Sequence, residues 1–146
     1  MYKISILLLI SLFISCNVKS PRLNCSVTIK NLELQIQEIF DANFVQIRTV
    51  VLKEEIYFPK LEVIEVQIYN PTCQTLDFKT LNSKRYFRFE NYEELEKNLK
   101  FEAKPIFDEI LKSCNLIHFD QVCINFTKVM DNRNLDYSIG CVFKLS

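Results

Sequence analysis

Six cysteines and a single histidine are the side chains of this 146-residue chain best suited to metal or nucleophilic chemistry. His118 lies between two of the cysteines, in the spacing Cys114-x3-His118-x4-Cys123. A zinc site of this kind needs a fourth ligand, which Asp120 could supply, and typically contains a Cys-x2-Cys pair that is absent here. We therefore expect no metal and no cofactor, and a partly exposed His118 at the start of a strand.

The same residues could instead form a thiol nucleophile, because a cysteine beside a histidine is the minimal activated arrangement. Serine hydrolysis would also depend on His118, and no Gly-x-Ser-x-Gly motif is present. A thiol-dependent enzyme that uses a cysteine and His118 is therefore one interpretation of the chain. We favour a role without catalysis.

Neighbouring glutamates are candidates for acid–base pairs: Glu54/Glu55, Glu62/Glu65 and Glu93/Glu94. Glycoside hydrolysis needs two carboxyl groups about 5–10 Å apart across a cleft. Glu62 and Glu65 have opposite parity on a predicted strand, so they should face opposite sides of a sheet. Glu93 and Glu94 fall in the first turn of a predicted helix, where acidic side chains interact favourably with the positive end of the helix dipole. We expect solvated surface groups.

The segment 84–89 interleaves basic and aromatic side chains, a pattern that can bind single-stranded nucleic acid. On a strand, however, Phe87 and Phe89 would face the core and leave Tyr86 alone for base stacking. The chain carries 18 basic and 18 acidic residues, so no basic surface points to nucleic acid. If the Lys84/Tyr86/Arg88 side of this strand has a role, a protein or glycan contact fits better.

Two sequences match the acceptor pattern for N-glycosylation, Asn24-Cys25-Ser26 and Asn125-Phe126-Thr127. They favour a second interpretation, a secreted, disulfide-stabilised glycoprotein of a eukaryote. Glycine-rich phosphate loops are excluded, since Gly140 is the only glycine.

The N-terminus has the pattern of a targeting signal. Lys3 precedes an apolar run over 4–14, which as a helix would cover about half of a ~30 Å hydrocarbon core and so fits a signal peptide. The residues that follow, Phe13-Ile14-Ser15-Cys16, resemble the bacterial lipobox, in which a small residue precedes a cysteine that is lipidated after cleavage. Phe13 stands where leucine is most typical.

This resemblance to bacterial lipoproteins implies a signal peptide over 1–15, a lipidated Cys16 and tether over 16–23, and a single domain over 24–146. Asn17 after the cysteine implies sorting to the outer membrane. The expected location is the cell envelope, with the membrane as partner through the lipid anchor and a protein as a further partner. Plain secretion is the alternative.

Hydrophobic periodicity predicts the elements of the domain. A helix over 27–41 places its apolar residues on one stripe, with Ser26 or Asn24 as the cap. Alternation predicts strands over 44–52 and 61–69, the second ended by Asn70-Pro71. A polar loop over 70–83 and a short strand over 84–89 follow.

A second helix should begin at an Asn91 cap with Glu94 in its first turn. Its apolar residues recur at three- and four-residue spacing as far as Cys114. Pro105 lies inside this pattern. Because proline removes an N–H and crowds the preceding turn, we expect a kink or the start of a second helical segment.

The C-terminal hairpin can be predicted to its register, because opposed residues must share a face. Apolar residues at even positions of the first strand pair with odd positions of the second. This register places Ile124 opposite Cys141, Phe126 opposite Ile139 and Met130 opposite Leu135. Cys141 should then face the core and Cys123 should face away, so these two should not bond.

The order of elements predicts an α+β two-layer sandwich: a mainly antiparallel sheet of four to five strands with two helices on one face. If Cys16 is lipidated, five cysteines remain and cannot all pair within the chain. We expect Cys141 to be a free thiol and the others to form at most two bridges.

Overall fold

The computed structural model describes residues 21–52, 60–76, 92–129 and 137–145. Two helices and six strands occur there, in the order β1 (Asn24–Cys25), α1 (Ile29–Ile39), β2 (Phe44–Leu52), β3 (Leu61–Tyr69), α2 (Tyr92–Ser113), β4 (Cys114–Asn115), β5 (Gln121–Lys128) and β6 (Tyr137–Lys144). The predicted α+β class is confirmed.

Four strands form the main sheet in the order β2-β3-β5-β6, and β1 pairs with β4 separately. The β2–β3 and β5–β6 pairs are antiparallel, whereas β3 and β5 run parallel. A parallel pair needs a crossover connection, and α2 lies on the chain between these two strands. The sheet is therefore mixed, with two of its three pairings antiparallel.

One face of this sheet and both helices enclose the core, as predicted. The buried strand residues alternate along each strand, and they join the buried faces of α1 and α2 in a single cluster. Its fully buried members include Leu32, Ile36, Ile64, Ile68, Ile106, Ile110, Ile124 and Phe126. Two layers with one core are what the periodicity of the sequence requires.

The first helix begins at a different cap from the predicted one. Thr28 is the N-cap, and its Oγ1 accepts a hydrogen bond of 3.2 Å from the Asn31 N–H. Ser26 is engaged elsewhere, since both its N–H and its hydroxyl donate to the Ser113 carbonyl, and Asn24 belongs to β1. The expectation of a Ser26 or Asn24 cap was therefore wrong.

The second helix runs without a break from Tyr92 to Ser113, with Pro105 inside it. The alternative expectation, that Pro105 starts a separate helical segment, was wrong. The proline ring is exposed, so it meets solvent instead of the core, and burial of Ala103, Ile106 and Ile110 holds the helix on the sheet. The predicted cap at Asn91 lies outside the described residues.

The predicted strands β2 and β3 and the described part of the hairpin register are confirmed. Strands β2 and β3 have the predicted bounds, and Asn70 directly after β3 has a positive φ of 51°. Ile124 pairs with Cys141 and Phe126 with Ile139. Residues 70–76 form no helix or strand. The rest of the 70–83 loop, the predicted strand over 84–89 and the Met130–Leu135 pair lie outside the described residues.

Among the described cysteines there is one disulfide, between Cys25 and Cys114, which are partners in the β1–β4 ladder 89 positions apart in sequence. Cys73, Cys123 and Cys141 are free. Cys141 is buried and Cys123 lies on the opposite face of the sheet, as the register predicted.

Candidate functional site

The face of the main sheet that lies away from the helices is the candidate functional site. Its side chains alternate with the core residues along each strand. We call this surface the open face, defined by Phe44, Gln46, Arg48, Glu65, Gln67, Tyr69, Cys123, Asn125, Thr127, Ser138, Gly140 and Val142. Val63, which faces the same side, is buried.

Glu65, on the central strand β3, is the hub of a polar network on the open face. Its Oε2 accepts a hydrogen bond of 2.5 Å from Arg48 Nε on β2. Its Oε1 accepts bonds from Gln67 Nε2 at 2.8 Å and from Asn125 Nδ2 on β5 at 3.4 Å. A carboxylate with several donors is fixed in place, because each bond removes a rotational alternative.

The network extends to the fourth strand through Thr127. The Thr127 hydroxyl lies 3.1 Å from the Ser138 hydroxyl on β6 and 3.5 Å from Gln67 Oε1. Thr127 is buried although it faces this side. Polar side chains from all four strands are therefore joined across the sheet, which makes the open face a pre-organised surface.

The surroundings of Glu65 favour the ionised form of its carboxyl group. Partial burial alone would raise the pKa of the Glu65 carboxyl, but the hydrogen bonds from Arg48 and Gln67 outweigh burial and hold that pKa below its ordinary value. The same contact raises the pKa of the Arg48 guanidinium. Arg48 keeps 55% of its side chain exposed, whereas Glu65 keeps 19%. Of the two opposite charges in this pair, the Arg48 guanidinium is therefore the one more exposed to solvent.

Apolar side chains flank this polar centre. Phe44 is 52% exposed and its ring lies 5.7 Å from that of Tyr69, with the planes tilted by 42°. On the far strand, Val142 is 45% exposed. Exposed aromatic and aliphatic groups around a fixed polar centre can contact a macromolecular partner. Their burial in an interface is favourable because it removes apolar surface from water.

The predicted absence of a zinc cluster stays a prediction, but the residues concerned are now placed. Cys114 is bonded to Cys25 in a disulfide, so it cannot act as a thiolate ligand beside His118. His118 is exposed in the turn before β5. Within the described ranges, no group of three or more His, Cys, Asp or Glu side chains could hold a metal ion.

The free thiols are held in their protonated form. Burial raises the pKa of Cys73 to about 12 and that of Cys141 to about 11. Burial, together with the nearby Glu65 carboxylate, also raises the pKa of Cys123. The thiolate is the reactive species of cysteine, so none of these thiols is activated for attack at neutral pH.

The glutamate pairs and glycosylation sequences are placed as follows. Glu62 and Glu65 lie on opposite faces of β3, as expected from their parity, and Glu93 and Glu94 are exposed in the first turn of α2. Asn24 is exposed in β1. The side chain of Asn125, by contrast, is bonded to Glu65 in the middle of the sheet.

Cys16, the pair Glu54/Glu55 and the basic–aromatic segment 84–89 lie outside the described residues. Of the described helices, none has the length and apolar character needed to cross a membrane. Comparison with protein-family models, with curated proteins and with solved structures finds no match to this chain.

Sequence reasoning missed the Glu65 network. The signal for it was present: Gln46 and Arg48 alternate with core residues on β2, as Glu65 and Gln67 do on β3. Which strands are neighbours decides whether these polar residues meet. The parallel pairing of β3 with β5, which brings Asn125 to Glu65, could not be inferred from the alternation alone.

Proposed function

We propose that this protein is a lipid-anchored module of the bacterial envelope that binds a protein partner through the open face and performs no catalysis. The observation that carries the proposal is the Glu65-centred network, which fixes polar side chains from all four strands on a surface that the helices leave uncovered. Fixed side chains lose little entropy on binding, and this favours recognition.

The location rests on two features. The lipobox-like sequence that ends at Cys16 indicates export and lipidation. The Cys25–Cys114 disulfide supports export, since disulfides persist in oxidising compartments such as the bacterial periplasm and are rare in the cytosol.

Binding is favoured over thiol catalysis by the chemistry of the cysteines. A nucleophilic cysteine needs a lowered pKa or an adjacent base. The free thiols of Cys73, Cys123 and Cys141 have raised pKa values instead. His118, the only histidine, stands exposed in a turn next to the disulfide segment.

A secreted eukaryotic glycoprotein is the second candidate, and exposed Asn24 in its Asn-Cys-Ser sequence favours it. The two candidates share the disulfide and differ in modification. Hexose mass on a peptide that contains Asn24 would favour the glycoprotein, whereas acyl mass on Cys16 would favour the lipoprotein.

Site-specific photocrosslinking in intact cells tests the binding proposal. A photoreactive residue replaces Gln46 or Ser138, which are exposed on two edge strands of the open face, and Leu34 on α1 serves as the matched control because it is exposed on the other side of the molecule. We expect the same polypeptide to crosslink to both open-face positions and not to position 34.

The purified partner then allows a direct measurement. Arg48→Glu reverses the fixed charge beside Glu65, and we expect it to weaken binding by at least about tenfold, as for a residue at the centre of an interface. Equal crosslinking from position 34, or no change in affinity with Arg48→Glu, would overturn the assignment of the open face as the binding surface.

A further inference from the structure

The two edge strands of the main sheet, β2 and β6, differ in what lies against them. On β2, the Ile47 N–H points away from β3 and donates to Glu33 Oε1 on α1 at 2.8 Å. The segment 21–23 and Ile29 line a cavity of about 430 Å³ along the same edge, together with residues 47–49. A side chain and a chain segment therefore stand where a further strand would have to pair with β2.

On β6, the ladder to β5 decides which backbone groups point out of the sheet. In an antiparallel pair, alternate residues bond to the neighbouring strand and the residues between them point away from it. The Leu145 N–H donates to the Asp120 carbonyl in register with this ladder, so the odd-numbered residues of β6 bond to β5. The Thr127 carbonyl accepts from the Asn70 N–H next to β3, which agrees, because it directs the odd-numbered residues of β5 toward β3.

The even-numbered residues of β6 therefore direct their N–H and C=O groups out of the sheet edge. They are Ser138, Gly140, Val142 and Lys144, and all four are exposed. No hydrogen bond joins these backbone groups to another residue of the described ranges. A row of outward donors and acceptors is a template for pairing with another strand.

The order of these residues suits a second copy of the same strand. They lie symmetrically about Cys141, so a copy that runs antiparallel about this residue bonds to every outward group. Ser138 then lies opposite Lys144 of the second copy, and no like charges are opposed. Gly140 lies opposite Val142 of the second copy, so an exposed branched side chain meets a residue without a Cβ.

The same register brings apolar residues together on the helix side of the sheet. Ile139 lies opposite Phe143 of the second copy, and both residues are partly buried at the margin of the core. Their contact would remove further apolar surface from water. Backbone pairing, side-chain size and apolar burial therefore favour the same occupant of the β6 edge.

We infer that the protein forms a two-fold symmetric dimer in which the β6 strands of two copies pair antiparallel about Cys141. Two four-stranded sheets become one continuous sheet, with the two open faces on the same side. Because the β2 edge carries Glu33 and the segment 21–23, strand pairing ends at two copies. The inference goes beyond the proposed function and requires neither the lipid anchor nor the open-face partner.

Proline at position 142 tests the contact, because it removes an outward N–H and leaves the bonds between β5 and β6 in place. Val142→Thr is the matched control, since it keeps the N–H and a branched side chain. The symmetry removes two hydrogen bonds per dimer, so we expect Val142→Pro to raise the dissociation constant of the dimer at least about tenfold over Val142→Thr. Native mass spectrometry of the full-length protein in detergent, over a concentration series, gives both constants.

Paired cysteines test the register without proline. In Ser138→Cys/Lys144→Cys, each thiol faces one on the second copy across Cα atoms about 5.5 Å apart, a distance that a disulfide spans. We expect mild oxidation with copper phenanthroline to give a covalent dimer, with the 138–144 bond identified by peptide mass spectrometry. The matched control is Gln46→Cys/Leu52→Cys on β2, whose residues are also exposed, and it should not form such a dimer.

A wild-type protein that is monomeric at micromolar concentration would overturn the inference. Equal dissociation constants for the two variants at position 142, or equal crosslinking of the β2 and β6 cysteine pairs, would overturn it as well. If Val142→Pro does not fold, the cysteine pairs decide the result alone.

Discussion

Gly140 lies directly opposite Asn125 in the β5–β6 ladder, and the Asn125 side chain occupies the space that a Cβ on residue 140 would need. Such a Cβ would lie 1.9 Å from Asn125 Oδ1 and 2.8 Å from the Ile124 carbonyl oxygen. The only glycine of the chain is therefore placed where the open face needs room for a network residue, and not at a turn.

Gly140→Ala should destabilise the protein by about 1–3 kcal/mol, because Asn125 must move and the Ile124 carbonyl cannot. In an Asn125→Ala background the penalty should be smaller by more than about 0.5 kcal/mol, since one of the two clashes is gone. Urea unfolding measures both values. Lys144→Ala, exposed on the same strand, is the control, and an equal penalty in both backgrounds would refute the contact.

Glu65→Gln should lower stability at neutral pH and lose its effect in acid. The pKa of Glu65 is lower in the folded state than its ordinary value, so ionisation stabilises the fold above that ordinary value. This contribution disappears as the pH falls through the folded pKa. Because Arg48 is half exposed, we expect a difference of no more than about 1 kcal/mol between the variants at pH 7. Urea unfolding from pH 3 to pH 7 measures it, and a difference that grows toward pH 3 would contradict the assignment.

Loss of the Cys25–Cys114 disulfide should cost about 2–5 kcal/mol, because the bridge closes a long loop of the unfolded chain. The double variant Cys25→Ser/Cys114→Ser and the reduced wild-type protein should show the same drop in the unfolding midpoint. Cys123→Ser is the control, since that thiol is free in the structure. A midpoint that does not respond to reductant would exclude the bridge.

The free thiols should alkylate slowly in the native protein. With a pKa of about 11, Cys141 carries about a hundredfold less thiolate at neutral pH than an ordinary cysteine. We expect iodoacetamide to modify Cys73 and Cys141 at least about a hundredfold more slowly in the folded than in the unfolded chain, and Cys123 severalfold more slowly. Peptide mass spectrometry gives the rates. A cysteine that reacts faster in the folded protein would revive the thiol-enzyme interpretation.

Local patterns in the sequence were enough to predict the sheet strands β2 and β3, the two helices and the β5–β6 register. Each of these depends on the spacing of apolar residues along the chain. In a strand, a shift of the register by one residue would move the apolar side chains from the core to the solvent face. The position of Cys141 in the core followed from parity alone. The cap at Thr28 was missed because the expected cap, Ser26, donates its hydroxyl to the Ser113 carbonyl instead. These two residues are 87 positions apart in sequence.

Long-range pairing explains the other misses. The Cys25–Cys114 bond depends on the β1–β4 ladder, which consists of two-residue strands too short to show a pattern. The Glu65 network depends on β3 and β5 being neighbours, which no local signal encodes. Functional inference from sequence was limited for the same reason. The polar residues of the open face form a network only because their strands are neighbours in the sheet.

The intact mass of the protein extracted from bacterial membranes tests the lipid-anchored module most directly. We expect a chain that begins at Cys16, carries a glycerol with two acyl chains on its thiol and a third acyl chain on its amine, and lacks two hydrogens for the Cys25–Cys114 bond. A chain that retains residues 1–15, an unmodified Cys16, or hexose in place of acyl mass would contradict the lipid anchor.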